Sequence, residues 1–138
     1  MTEKLIEAAL KMTEFSYSPY SIFCVGAALL TKDGKIFTGC NIENAAYGPS
    51  NCAERTAFFK AVSEGYKSFD AIAIAGGPKE NGIITIKDYC TPCGVCRQVM
   101  SEFCNQNFKI ICAKSKDDYK IFTLGELLPE SFTLDKNQ

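Results

Sequence analysis

Cys52-Ala53-Glu54, followed about forty residues later by Pro92-Cys93-Gly94-Val95-Cys96, constrains this chain more than any other feature, because the chain contains no histidine. Three thiolates can close three corners of a tetrahedral zinc site, and a carboxylate two residues from one of them can carry protons for water at the fourth corner. The pattern points to a hydrolytic zinc site. Without an imidazole there is no Ser-His-Asp triad, no Cys-His pair and no histidine-ligated metal. A fold for this chain has to bring two segments distant in sequence to one point.

The 138 residues are expected to form one domain, 1–138, with a single site. Net charge is −1, and Lys and Arg are spread along the chain, so no stripe awaits a phosphate backbone and nucleic acid is not an expected partner. A small, weakly charged ligand suits this balance better. Met1 to Leu10 carries charges every few residues and no apolar core of a leader, and no apolar run reaches the length of a membrane span. The expectation is therefore a cytoplasmic protein that does not engage a membrane. The eight cysteines are read as reduced thiols, with Cys24, Cys40, Cys90, Cys104 and Cys112 acting as small buried hydrophobes.

Periodicity predicts an amphipathic helix over Thr2 to Phe15 with Thr2 as its N-cap. Strand-like runs at Ile22 to Thr31 and Ile36 to Asn41 flank Asp33-Gly34, a hairpin signal. Ile42 to Asn51 reads as loop, and Cys52 to Glu64 as a helix. Ala71 to Ala75 reads as a strand buried on both faces and central in a sheet. Lys79 to Cys90 is ambiguous: Asn81-Gly82 marks a turn, and Ile83 to Ile86 is either a short strand or a buried loop. A helix from Pro92 to Asn105, strands at Phe108 to Ala113 and near Lys120 to Thr123, and a helical turn at Leu124 to Leu128 follow. The alternation implies parallel pairing behind the opening hairpin, hence an α/β fold of three α/β/α layers around a mixed sheet of about five strands.

Pro92 suits a first helical position with Thr91 as N-cap, which would put Cys93 and Cys96 in the opening turns of one helix. Cys52 opens its own helix, so all three thiols lie at helix N-termini, where the partial positive charge favours thiolates. Three thiolates make a zinc centre negative overall and a weaker Lewis acid. Helix dipoles and Arg55, beside Glu54, can withdraw that excess. Two residues rotate a helix by about 200°, so Cys52 and Glu54 can serve one site only if the metal lies beyond the helix end. Taken singly, Cys96 fits the stripe of Val95, Val99, Met100 and Phe103, the Cys-x-x-Cys pair fits a redox couple or half a structural zinc site, and Glu54 fits a solvated helix start.

Taken together, Cys52-Ala53-Glu54-Arg55 and Pro92-Cys93-Gly94-Val95-Cys96-Arg97-Gln98 resemble the zinc deaminase signature in its three-cysteine form. Phe23-Cys24-Val25-Gly26-Ala27-Ala28-Leu29 and Gly39 to Tyr47 resemble the free-nucleoside branch, the small homotetrameric cytidine deaminases. The resemblance implies hydrolysis of cytidine, and of 2′-deoxycytidine, to the uridine and ammonia in pyrimidine salvage. It implies one zinc per subunit on Cys52, Cys93 and Cys96, Glu54 as proton shuttle, and Arg55 tempering the thiolates. Asn41 and Glu43 would hold a ribose hydroxyl, Phe23 would stack on the base, and a backbone carbonyl near Ala53 or Cys93 would read the amino group. Ala45, Tyr47 and Phe132 match positions that reach a neighbouring subunit's nucleoside.

Three stretches depart from that pattern: the long Gly77 to Thr91 connection, the Gly48-Pro49-Ser50 approach to Cys52, and Cys90-Thr91 where a serine usually precedes the proline. Rival readings at this level are a deaminase of another cytosine nucleoside such as blasticidin S, a thiol redox pair, and a non-catalytic structural zinc site. A redox pair requires neither Cys52 nor Glu54.

Overall fold

In a computed structural model of the chain, residues 1–134 and 136 are described. The elements in order are helix α1 (Thr2–Met12) with a 3-10 turn (Thr13–Phe15), strands β1 (Phe23–Thr31) and β2 (Ile36–Cys40), helix α2 (Ala53–Ser63), strand β3 (Phe69–Glu80) and the short β4 (Ile83–Ile84). Helix α3 (Gly94–Phe103), strands β5 (Lys109–Ser115) and β6 (Asp118–Thr123) and the single turn α4 (Leu124–Leu127) complete the chain. The sheet runs β2-β1-β3-β5-β6, with β4 returning along the outer part of β3.

Strand directions follow from the connections. The β1–β2 hairpin turns at Gly34, whose φ of 92° favours glycine. Helix α2 then carries the chain back across the sheet, so β3 runs in the direction of β2 but lands beside β1 and pairs with it antiparallel. Helix α3 crosses again, and β5 pairs parallel with β3, Ala71 opposite Lys109 through Ile74 opposite Cys112. The expected parallel pairing is thus confined to β3–β5, because β1 lies between β2 and β3.

Both faces of β3 are buried from Ala71 to Ala75, as its apolar run predicts. On one face Leu29, Ile72, Ile74, Ile110 and Cys112 pack beneath α2 and α3 with Phe58, Met100 and Phe108. On the other, Ala28, Ala71, Ala73 and Ala113 lie in a second cluster with Leu5, Ile6 and Ala9 of α1. The asymmetry has a physical purpose, since small strand residues let α1 approach closely and branched ones fill the deeper layer. Each fully buried Leu, Ile or Phe contributes about 1.5–3 kcal/mol over its exposed state. Helices therefore cover both sheet faces, in the expected three layers.

Local boundaries differ from expectation where tertiary contacts intervene. Helix α1 is capped by Met1 rather than Thr2. Strand β1 begins one residue late, because Ile22 adopts a φ of 57°, outside any strand. Strand β3 continues to Glu80, where Asn81 and Gly82, at φ 51° and 77°, turn the chain into β4, which resolves the ambiguous stretch as a two-residue strand. Helix α3 begins at Gly94 with Cys93 as its N-cap, so Thr91 and Pro92 precede the helix instead of opening it. No helix among the described residues is long and apolar enough to cross a membrane.

Candidate active site

Two helix starts meet over one end of the sheet. Cys52 is the N-cap of α2 and Cys93 the N-cap of α3, and neither sulfur is used in a side-chain cap bond. Cys96, one turn into α3, is 1% exposed. The Cys52 and Cys93 sulfurs are 3.7 Å apart, those of Cys93 and Cys96 3.5 Å, and all three lie within 4.8 Å of one another. A tetrahedral zinc at about 2.3 Å from each sulfur requires sulfur separations of roughly 3.8 Å. The donor set fits zinc and leaves one tetrahedral corner for another ligand. It also places Cys52 beyond the helix proper, the condition under which Glu54 can face the same point.

The supports of this cluster are backbone contacts. Gly39 of β2 lies so close under α2 that a Cβ there would be 2.5 Å from the Ala53 oxygen and 2.6 Å from the Ala57 nitrogen. The Thr56 hydroxyl is 3.1 Å from the Cys40 carbonyl, tying the first turn of α2 to the end of β2. Arg97 donates through Nε to the Pro92 carbonyl and through Nη1 to the Leu127 carbonyl, each at 2.7 Å, and so locks the loop entering α3 to α4.

Charge is arranged around the sulfurs. Arg55 Nη2 lies 3.3 Å from the Cys52 sulfur. The neighbouring Cys96 thiol first, and then Arg55, hold Cys52 well below the usual thiol range, while the Cys52 thiolate and burial push Cys96 up. The Arg55 Nε is buried without a hydrogen-bond partner among the described residues, and the contact of the guanidinium with the site is the one from Nη2 to the Cys52 sulfur. Glu54 is 4% exposed, and burial, reinforced by the Cys52 charge, pushes its carboxyl up to about 7.

A cleft of about 350 Å³ opens at the sulfurs, lined by Cys52, Ala53, Glu54, Arg55 and Cys93 on the helix side and by Val25, Asn41, Glu43 and Tyr47 opposite. Asn41 and Glu43 stand just past β2, where the chain crosses to Tyr17 and Asn51 through isolated bridges at Ile42. Phe23 lines an adjoining hollow with Gly76 and Pro78, and Cys90 borders both spaces. Tyr47 is 94% exposed although it borders the cleft. Ala45 is exposed, and Phe132 is 67% exposed with its carbonyl 2.9 Å from Gln98 Nε2; neither is among the residues that line the cleft of its own chain.

Val25 and Cys90 were not anticipated as cleft residues. Val25 stands within the Phe23 to Leu29 segment that carries the resemblance but has no role assigned there, whereas Cys90 stands immediately before the Thr-Pro-Cys segment and could have been suspected there. Of the five cysteines assigned to the core, Cys24, Cys40 and Cys112 are buried and Cys90 and Cys104 partly so, and all eight thiols are free.

Comparison with known proteins gives the family. The profile of the cytidine and deoxycytidylate deaminase zinc-binding region matches residues 1–112. A cytidine deaminase of Sporosarcina psychrophila is 49% identical over 131 residues, 95% of this chain and 90% of the relative, and one of Halalkalibacterium halodurans is 47% identical over 95% and 93%. Among solved structures, a cytidine deaminase from Burkholderia pseudomallei superposes with a TM-score of 0.84 at 45% identity, covering 96% of this chain and 99% of the other.

Proposed function

The chain belongs to the cytidine and deoxycytidylate deaminase family, and from that premise we propose that it hydrolyses cytidine and 2′-deoxycytidine to the uridine and ammonia, in pyrimidine salvage. The observation that carries this reading is the three-sulfur cluster at zinc spacing with a buried carboxyl in the same cleft. Cys52, Cys93 and Cys96 hold the zinc, one per subunit. Bound there, zinc supplies the Lewis acidity that makes water ionise near neutral pH.

The side chains of this chain do the rest. Glu54 would accept a proton from the attacking water as its oxygen bonds to C4 and pass that proton to ring nitrogen N3, and would then carry the second proton from the new C4 hydroxyl to the amino group, so that the C4–N bond breaks and ammonia leaves. Its burial supports the role, because a carboxyl shielded from bulk water exchanges protons with substrate instead of solvent. Arg55 and the two helix N-termini offset the charge of the thiolates and hold Cys52 in place. The Ala53 carbonyl accepts from the exocyclic amino group, Phe23 stacks on the base, and Asn41 with Glu43 takes the sugar.

Residues 1–138 act as one domain in this reading, in the cytoplasm. The enzyme works as a homotetramer in which Ala45, Tyr47 and Phe132 reach a neighbouring site. Support comes from the solvent exposure of Tyr47 and Phe132, which an isolated chain leaves uncovered. The decisive test compares the parent with Glu54→Gln by ultraviolet absorbance on cytidine, deoxycytidine and blasticidin S, beside a zinc measurement, the parent reporting the substrate and the variant the role of Glu54. Zinc is expected to stay while activity on cytidine falls by about 10²- to 10⁴-fold. Parent-like turnover would defeat the proton role, and activity on blasticidin S alone would replace the substrate.

A further inference from the structure

Asn41 and Glu43 are not free in the cleft. The Asn41 amide donates from Nδ2 to the Phe23 carbonyl at 2.8 Å, and its Oδ1 accepts from the Val25 N–H at 2.9 Å and from the Ser16 hydroxyl. An amide has two N–H donors and two acceptor lone pairs, so one N–H remains. Glu43 Oε1 accepts from the backbone N–H groups of Tyr20 and Ser21 at 3.0 and 3.1 Å, and Oε2 accepts from the Ser21 hydroxyl. Of about four carboxylate lone-pair sites one is left, on Oε2. The residual capacity is one donor and one acceptor, which is the complement of a hydroxyl group.

Ser21 supplies two of the three bonds on Glu43, and its Oγ also accepts from the Phe23 N–H at 3.1 Å. It therefore links the sugar side of the cleft to the start of β1. The next residue explains how it gets there. Ile22, β-branched, is held at φ 57°, a region costly for such a side chain, by bonds from its N–H to Ser18 and from Lys79 to its carbonyl. That turn aims the Ser21 hydroxyl and N–H at one carboxylate. The Ser21 bond is also the first cause holding the Glu43 carboxyl below its ordinary range, which keeps it an acceptor.

We propose that Ser21 is a positioning residue for sugar recognition, orienting Glu43 so that its last lone pair, together with the free Asn41 N–H, receives one ribose hydroxyl. The proposal rests on the cytidine reading above. Its test compares the zinc-loaded parent, Ser21→Ala and Ser21→Thr on cytidine and on 2′,3′-dideoxycytidine, which lacks the secondary hydroxyls. Ser21→Ala is expected to raise KM for cytidine about tenfold with kcat changed by less than about twofold, since a hydrogen bond to a charged group is lost. The dideoxy substrate should be turned over by Ser21→Ala as by the parent, and Ser21→Thr should restore the cytidine KM. Equal losses on both substrates would show a merely structural role, and a parent-like KM would overturn the proposal while leaving the deaminase reading intact. A parent that fails on cytidine would defeat that reading and this one with it.

Discussion

Gly39→Ala tests the claim that the active site is held by close backbone packing of β2 against α2. The added Cβ would lie 2.5 Å from the Ala53 oxygen, whereas ordinary contact begins near 3.4 Å, so α2 must retreat by about 0.9 Å. Backbone meets backbone there, and no flexible side chain can yield. Overpacking of this kind costs about 1–3 kcal/mol. For a chain of this length that corresponds to a fall in Tm of roughly 4–12 °C. The site suffers more than the fold, because zinc–sulfur distances tolerate only about 0.2 Å and Cys52 rides on the displaced turn. Misplacement by about 1 Å also costs on the order of 10²-fold in rate. Differential scanning fluorimetry, zinc content and cytidine turnover would be measured beside Gly48→Ala, whose Cβ meets nothing within 4 Å and should stay within about 0.5 kcal/mol of the parent. A Gly39→Ala protein with parent Tm, full zinc and full activity would refute the reasoning.

Ile22→Gly should raise Tm by a few degrees, since left-handed backbone costs an L-residue about 1–2 kcal/mol and glycine returns only part of that as entropy; a melt several degrees below the parent would contradict the strain at φ 57°. Cys93→Ala should abolish stoichiometric zinc and lower Tm, because metal binding is coupled to folding; full occupancy by metal analysis would remove Cys93 from the ligand set. Mixing Phe132→Ala subunits with Glu54→Gln subunits should give turnover that deviates from the sum of the two populations if sites are shared, and strict additivity would place Phe132 in its own chain only.

What the sequence revealed depended on how local the determinant was. The hairpin at Asp33-Gly34, the doubly buried Ala71 to Ala75 and the helix read over Cys52 to Glu64 are written in short-range pattern, and the structure has each of them, the helix one residue shorter at either end. The cap of α3 was misplaced by two residues because Pro92 imitates a first helical residue, while Arg97, bonded to the Pro92 carbonyl from the helix itself, holds that segment in the loop. The adjacency of β1 and β3 and the left-handed Ile22 follow from tertiary packing, with no local cue. The three-sulfur cluster was legible because metal chemistry restricts residue type, and the place of Glu54 beside it because it stands two residues from Cys52. Ser21 was not, because serine in a turn is commonplace and only the bonds to Glu43 distinguish it.

The sulfurs of Cys52 and Cys93 approach to 3.7 Å across a separation of 41 residues, a loop that contains all of α2 and β3. Closing a loop of that length in a random chain costs about 4 kcal/mol by the relation for cross-linked loops. In the native protein the sheet has already closed it, so an incoming ion meets a preassembled triad. A nascent or opened chain offers only the Cys93–Cys96 pair without that closure, and should hold zinc on the order of a thousandfold more weakly. Zinc retention thereby becomes a readout of whether β3 is docked between β1 and β5.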